Sequence, residues 1–436
     1  MSSELIGWIG IGAMILLLLL RVPVAFVMGT VGLLGYAALS GVNPALQVAG
    51  MVPYSSIASY SFSVIPLFII MGHFAHHAGF VTEVFQTARS WLGSSRGGLV
   101  NATIAAGAAF GAACGSGLAS CAVLSKITIP EMRKAGIQTS LACGTAAAVG
   151  PLAQMIPPSI LMVIYGIITE TSVGKLLIAG ILPGLLLAFG FMSMTYFRVR
   201  RNPQLAPMLD KGISWNQRFL ALKGVWGIGV LAVLIIGGIY TGTFTPAEAG
   251  GCGAFGAFIL GIALRKLTWE RIRESLVDTA RITGMVFLII ACSFIFSYFL
   301  SISRIPFNIS EFLTQLPVSP LAILIGVMVF YLFLGMFVDM VAGMFITLPI
   351  IFPAMVSLGF DPIWFGVLIV MQCEIALITP PFGINLFIVR GVIEDVELMD
   401  VIRGVIPYLV VDMIVLALYI AFPQIALFLP QRMMGK

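Results

Sequence analysis

The segment VGPLAQMIPPSI, Val149 to Ile160, carries two adjacent prolines in the middle of an apolar stretch. No charged residue occurs between Lys134 and Glu170, which is typical of a helix that crosses a membrane. Proline removes a backbone donor and clashes with the preceding turn, which costs about 3 kcal/mol or more inside a helix. The segment therefore predicts a membrane helix that is broken at its prolines.

The composition of the whole chain indicates a polytopic, all-α membrane protein. Of its 436 residues, 60% are hydrophobic and 9% are charged, whereas average soluble domains have about 25% charged residues. Apolar runs recur from Leu5 to Leu429, and many reach the roughly 20 residues that span a bilayer. We interpret the first run, Leu5 to Leu20, as a helix of the mature protein, because no basic segment precedes it and no small-residue cleavage site follows.

The charges and cysteines exclude some other classes of protein. The net charge of +5 belongs to separate loops, so we expect no nucleic-acid partner and a surface that contacts membrane lipid. The six cysteines all lie in apolar segments without paired ligand spacing, and we expect neither a disulfide framework nor a zinc site.

The broken segment has a second copy in the chain. IPPS at Ile156–Ser159 recurs as TPPFG at Thr379–Gly383, and PEMRKAG at Pro130–Gly136 recurs as PAMVSLG at Pro353–Gly359, in both cases 223 positions later. Ordered matches at a constant offset indicate a duplicated unit of about half the chain.

Loop charges predict that the two copies have opposite orientations. Residues Lys126–Lys134 include three basic side chains, whereas Pro353–Pro362 has none and contains Asp361. Because cytoplasmic loops are enriched in Lys and Arg, the first loop is predicted to face the cytoplasm and the second the outside. We therefore predict an inverted-topology repeat with both termini outside.

The lengths of the uncharged runs predict the domain organisation. The run at 97–125 is too long for one crossing and too short for two, which favours a re-entrant hairpin. The first repeat is predicted at 1–205, with a hairpin at about 97–125 and a broken helix at about 138–169, followed by a basic cytoplasmic loop at 206–224. The second repeat is predicted at 225–436, with a hairpin at about 320–351 and a broken helix at about 362–389.

Irregular backbone at membrane depth persists where it is buried in protein or lines a watered cavity. A broken helix exposes carbonyl groups that can replace the hydration shell of a cation, and helix N-termini that attract an anion. Two hairpins and two breaks predict two such sites near the membrane midplane. A plain proline kink is the alternative interpretation.

Five residues near the predicted tips and breaks are candidates for substrate binding. Ser116, between Gly115 and Gly117 at the first tip, offers a hydroxyl group on flexible backbone, although small residues also let helices approach closely. Asp339 is an acid in an apolar stretch, where a functional role is the first hypothesis. Asn385 follows the second break and could instead tie neighbouring helices together.

Two features argue against an enzyme. The GSG sequence at Gly115–Gly117 suggests a serine hydrolase, but the second half of the chain has no histidine and the three histidines cluster at 73–77. A phosphate-binding loop of the type GxxxxGK[ST] is also absent from the sequence. We predict that the chain is not an enzyme.

The same motifs resemble the large membrane subunit of TRAP transporters, the tripartite ATP-independent periplasmic family. The resemblance covers essentially the whole chain and is carried by GAACGSGLAS (111–120), GPLAQMIPPSI (150–160), LGMFVDM (334–340) and EIALITPPFGINLF (374–387). It implies an elevator-type importer in the bacterial inner membrane that uses sodium as coupling ion and takes up organic acids, either carboxylates or sulfonates. It also implies a small four-helix membrane subunit and a periplasmic substrate-binding protein as partners.

The resemblance implies one sodium site between the first hairpin tip, at Cys114 and Ser116, and backbone groups of Ala153, Ile156 and Pro158. The family commonly has serine where this chain has Cys114, and glycine where it has Ala153. A thiol is a poor sodium ligand compared with a hydroxyl group. Neither replacement affects sodium binding if the ligands at these two positions are backbone carbonyls.

A second sodium site is implied at Gly335, Leu377 and Thr379. The resulting hypothesis is the transport subunit of a sodium-coupled importer, in which hairpins and broken helices move against a scaffold. A self-sufficient cation-coupled anion transporter of related hairpin architecture is the alternative, and a channel is a third class.

Overall fold

The computed structural model describes residues 2–20, 22–208 and 214–433, with the side chains at 19, 112–114 and 433 left out. This part of the chain contains α-helices and two short 3-10 turns and no strand. The helices are α1 (Ser3–Leu19), α2 (Val24–Ser40), α3 (Val42–Ile57), α4 (Val64–His77), α5 (Phe80–Leu92), α6 (Gly98–Cys114), α7 (Gly117–Lys134), α8 (Thr139–Met155), α9 (Ile160–Ile168), α10 (Val173–Ala179), α11 (Ile181–Arg201), α12 (Trp215–Tyr240), α13 (Pro246–Ala263), α14 (Trp269–Ser303), α15 (Ile305–Gln315), α16 (Pro320–Phe337), α17 (Met340–Ser357), α18 (Pro362–Ile378), α19 (Ile384–Val392), α20 (Leu398–Ala421) and α21 (Gln424–Met433).

Many of these helices are long and apolar enough to cross a bilayer. Within the described residues, seven meet this criterion alone, and up to nine do so if each of two bent pairs forms one span. One bent pair is α8 and α9, which meet at an angle of 44° at the first double proline. The predicted all-α, polytopic membrane fold is confirmed.

The helix bounds repeat along the chain at the spacing of the sequence motifs. Helices α7 and α8 begin at Gly117 and Thr139, and α17 and α18 begin 223 positions later, at Met340 and Pro362. The prolines between α8 and α9, and those between α18 and α19, are each joined by a cis peptide bond. Each half thus contains a helix pair, α6–α7 or α16–α17, followed by a helix that is interrupted at two prolines.

Both helix pairs continue beyond the predicted hairpin ends at 125 and 351. Helix α7 runs through Lys126 to Lys134, and α17 runs to Ser357. Lys126 is exposed, so its charge is not buried although the helix continues past it. A first charged residue is therefore a poor marker of where such a helix ends.

The helices pack in two groups. Helices α1–α4 and α12–α14 contact mainly one another, with α14 lying against α2, α3 and α4. We count α5 and α15 with this first group, although they also pack closely on α6 and α17 of the second group. Helices α6–α11 and α16–α21 form the second group, in which α8 packs against α6, α7 and α20. We name them the scaffold group and the hairpin group.

Ion pairs fasten the exposed end of helix α7. Arg133 donates to both carboxylate oxygens of Asp395, at 2.9 and 2.7 Å, within the hairpin group. This hydrogen bond holds the pKa of Asp395 below its ordinary value. Arg89 of α5 pairs with Glu131 of α7 at 3.0 Å and thereby links the scaffold group to the hairpin group.

Candidate functional site

The first hairpin tip contacts the first helix break. Gly115 lies between α6 and α7 with a φ of +64°, a conformation that favours glycine. A methyl group on Gly115 would lie 2.7 Å from the carbonyl oxygen of Pro158, so only glycine fits against the break. Ser116 is the N-cap of α7 and accepts a hydrogen bond from the amide of Ala119 at 3.4 Å.

Helix α6 also approaches the broken helix one turn before the tip. A methyl group on Gly111 would lie 2.5 Å from both the Cα and the carbonyl oxygen of Ala153, which is fully buried. Ile156 has extended backbone, and its side chain packs on Gly184 of α11. Of the predicted first sodium site, Ala153 and Pro158 thus contact the hairpin directly, while the Cys114 side chain lies outside the described residues.

The second tip lies close to the second break in a corresponding way. A methyl group on Gly335 would lie 2.7 Å from the Cβ of Ala376 in α18, so α16 and α18 are in close contact there. The rings of Phe337 and Phe382 also meet, with centroids 4.9 Å apart, across the tip and the loop of the break.

Asp339 occupies the position that corresponds to Ser116, 223 residues later. It is the N-cap of α17, and its Oδ1 accepts from the amides of Val341 at 3.0 Å and Ala342 at 3.4 Å. The predicted substrate ligand is therefore also the cap that starts its helix.

The second break exposes oxygen atoms around Thr379. The residue has extended backbone at the end of α18, and its hydroxyl group donates to the carbonyl of Ile375 at 2.7 Å, which leaves the lone pairs of Oγ1 as acceptors. The carbonyl oxygen of Leu377 would lie 2.6 Å from a methyl group on Gly383. The Leu377 carbonyl oxygen thus faces the turn between α18 and α19, and the Thr379 hydroxyl group lies where that turn begins.

Asn385 ties the two halves of the hairpin group together. Its Nδ2 donates to the carbonyl of Ala147 at 3.2 Å. That carbonyl lacks its usual helical donor, because the residue four positions later is Pro151. The thiol of Cys121 in α7 lies 3.9 Å from the backbone oxygen of Asn385. The linking role considered in the sequence analysis is therefore present in the structure.

The structure adds three buried polar groups to the candidate substrate-binding residues. Gln154, one turn before the first break, has a buried Oε1 without a hydrogen-bond partner among the described residues. Glu374 and Asp412 are buried carboxylates on adjacent helices, and three of their four oxygens are likewise unpartnered there. Gln154 stands inside the proline motif itself, where it is the one side chain with hydrogen-bonding amide groups.

The arrangement offers two kinds of ligand group. Carbonyl and hydroxyl oxygens at the breaks suit a monovalent cation such as sodium, and the N-terminal ends of α7 and α17 suit an anionic group. Among the described residues, no group of three or more His, Cys, Asp and Glu side chains could hold a metal ion.

The fold is shared with a transporter whose structure has been solved. The YdaH transporter of Alcanivorax borkumensis superposes with a TM-score of 0.61 over 88% of this chain and 90% of the other, at 14% sequence identity. At this identity the likeness shows a shared fold, that of a polytopic membrane protein.

The sequence comparison identifies the family. The chain belongs to the family described as the tripartite ATP-independent periplasmic transporter, DctM component, whose model matches residues 11–425. It is 32% identical over 436 residues to the sialic acid TRAP transporter large permease protein SiaM of Vibrio cholerae, covering 100% of this chain and 99% of the relative. It is 36% identical over 374 residues to the C4-dicarboxylate TRAP transporter large permease protein DctM of Pseudomonas aeruginosa, covering 85% and 86%.

These matches confirm the family resemblance seen in the sequence. The chain is a multi-pass membrane protein and the large permease component of a tripartite transporter, and its relatives are transport proteins rather than enzymes.

Proposed function

We propose that this chain is the transport subunit of a sodium-coupled importer of organic acid anions. The observation that carries the proposal is the contact between each hairpin tip and a helix break: Gly115 lies against Pro158, and Gly335 lies against Ala376. Two related cation sites and an anion site between them follow from that duplication.

The proposed sodium ligands are oxygen atoms of irregular backbone. In the first half they are the carbonyls around Ala153, Ile156 and Pro158 together with the tip at Ser116, and the Cys114 backbone completes the set. In the second half they are carbonyls of Gly335 and Leu377 and the oxygen atoms of Thr379. Because these oxygens are neutral, they can replace the water around a sodium ion without burying a carboxylate charge beside it.

The proposed substrate site lies between the two hairpin tips. The start of α7 at Ser116 and Gly117, which follows the turn at Gly115, supplies amides and a partial positive charge for a carboxylate or sulfonate. Asp339 would then position the second tip and contact polar groups of the substrate, and Asn385 would contribute from the crossing of α7 and α8. Relatives named for sialic acid and C4-dicarboxylate transport support an organic acid as the substrate class.

The proposed motion is of the elevator type. The hairpin group carries both breaks and would move as a body against the scaffold group, with the two repeats in inverted orientation across the bacterial inner membrane. The scaffold group would also bind a small four-helix subunit, and a periplasmic binding protein would deliver the anion. Sodium and substrate shift this equilibrium only as far as they bind the two states differently.

The test is uptake into proteoliposomes that contain this chain and the small subunit, with the binding protein added outside. Uptake that requires an inward sodium gradient and the binding protein is the expected result. Uptake that needs sodium but no binding protein would instead identify a self-sufficient transporter, and flux down the substrate gradient without saturation would identify a channel.

A further inference from the structure

Gln154 lies against the start of the first hairpin's second helix. A methyl group on Gly117, the first residue of α7, would be 2.6 Å from Oε1 of Gln154 and 2.9 Å from the carbonyl of Gly150. The side chain is 8% exposed, and its Oε1 has no hydrogen-bond partner within the described part of the chain. An amide oxygen is thus held, buried and unused, next to the proposed anion site.

Asn385 presents a second such oxygen at the same crossing. A methyl group on Gly150 would lie 2.7 Å from Nδ2 of Asn385 and 2.7 Å from the carbonyl of Gly117. Because Nδ2 donates to Ala147, the orientation of the amide is fixed and Oδ1 is its acceptor end. Oδ1 is also buried and has no partner among the residues described.

Two buried acceptors without donors are costly, because each loses its water on folding without a replacement hydrogen bond, at about 1–3 kcal/mol per group. A carboxylate cannot replace that water, since it brings only acceptors at neutral pH. A group that donates hydrogen bonds can. The backbone amides at the start of α7 donate to the anionic end of a ligand. The side-chain oxygens of Gln154 and Asn385 therefore complement a hydrogen-bond donor elsewhere on the same ligand.

We propose that Gln154, supported by Asn385, recognises a hydroxyl group on the transported acid. The permease is therefore selective for hydroxylated organic acids over acids of the same carbon skeleton that lack the hydroxyl group. This inference rests on the proposed function and adds a substrate class and a specificity-determining residue to it.

The test measures binding to the permease copurified with its small subunit, in sodium and without the binding protein, so that selectivity belongs to the membrane component. The probes are matched pairs: malate with succinate, lactate with propionate, and gluconate with hexanoate. Wild type is expected to bind the hydroxylated acid of at least one pair about tenfold more tightly, the value of one buried hydrogen bond. Gln154→Met keeps the length of the side chain and removes its acceptor, so this ratio should fall to about one.

Gln372→Met is the matched control. Gln372 is a glutamine on α18 that is 1% exposed and whose Oε1 also lacks a partner among the described residues. Removing its amide perturbs a buried site of the same kind elsewhere, and the ratio should stay at the wild-type value. A ratio that falls equally in both variants would overturn the inference.

Three further results contradict the inference. Wild type could bind the unsubstituted acid at least as tightly in every pair, or Gln154→Met could leave the ratio unchanged. The variant could also raise the half-saturating sodium concentration without changing the ratio, which would make Gln154 a cation ligand. Binding of none of the six acids in sodium would also contradict the inference. All of these outcomes leave organic acid transport intact, since uptake with the binding protein present tests the proposed function separately.

Discussion

At the scale of single residues, Pro151 and Asn385 form a compensated pair. Pro151 removes the donor that the carbonyl of Ala147 would normally receive, and Asn385 supplies a donor from α19, 238 positions away in sequence from its acceptor. The irregularity in the first broken helix thereby becomes an attachment point for the second one.

This pairing predicts a double-mutant result. Asn385→Leu leaves a buried carbonyl unsatisfied and should lower the free energy of unfolding by about 1–3 kcal/mol, measured as a fall in Tm of the purified permease. Pro151→Ala restores the helical donor, so Asn385→Leu should cost far less in that background. Equal losses of stability in the two backgrounds would refute the compensation.

Thr379 gives a second residue-scale prediction. Its hydroxyl group donates to Ile375 and so directs its lone pairs elsewhere. Thr379→Val should raise the half-saturating sodium concentration for uptake about tenfold, equivalent to ~1.4 kcal/mol, while the maximal rate at saturating sodium stays close to wild type. Thr279→Val is the control, because this buried threonine of α14 also donates to its own helix, at 2.6 Å. A sodium dependence that both variants share with wild type would remove Thr379 from the site.

At the scale of elements, the contact between α6 and α8 depends on Gly111. Alanine there would place its methyl group 2.5 Å from backbone atoms of Ala153, which cannot swing aside as a side chain end can. Gly111→Ala should reduce uptake about tenfold, since overpacking costs about 1–3 kcal/mol and forces the hairpin off the break. Gly326→Ala on α16 is the matched control, because nothing lies within 4 Å of its added methyl group. Normal uptake by Gly111→Ala would show that the hairpin need not contact the break.

The sequence predicts the interrupted elements better than the short ones. A double proline within an apolar run breaks a helix wherever it packs, so the breaks after Met155 and Ile378 follow from local chemistry. Helices α5 and α15 were not predicted. They have 13 and 11 residues, shorter than a membrane span, and α5 mixes buried Phe80 and Phe85 with charged side chains. Such helices are stabilised by the helices they pack against, which composition alone does not identify.

The candidate site is predictable only where its residues belong to one motif. Gly115, Ser116 and Thr379 stand next to visible breaks. Gln154 stands in the same proline motif as the first break, but nothing in the motif shows what its side chain contacts. Its importance depends on Gly117 and Gly150 lacking side chains where α7 and α8 cross. That crossing joins positions 33 residues apart, and no local pattern encodes it.

At the scale of the whole molecule, the two repeats are interleaved rather than side by side. Helix α2 of the first half packs on α14 of the second, and the corresponding α13 packs on α4. The hairpin group is shared in the same way, since α8 contacts both α18 and α20. Internal symmetry predicts two copies of a unit. It does not predict that the scaffold group and the hairpin group each contain helices from both copies.

A motion of one group against the other predicts which cross-links stop transport. Phe294 of α14 and Phe345 of α17 lie on opposite sides of the boundary between the groups, with ring centroids 6.4 Å apart. Cysteines at both positions, in a background without the six native cysteines, should abolish uptake when joined by a reducible bifunctional thiol reagent, and reduction should restore it.

The control pair, Phe74 and Phe258, has ring centroids 5.3 Å apart within the scaffold group. The same cross-link there should leave uptake unchanged, because neither helix moves relative to the other. Full uptake with the first pair cross-linked would rule out rigid-body movement at this boundary. The anion would then have to cross by local opening of the hairpins, a movement that leaves α14 and α17 in contact.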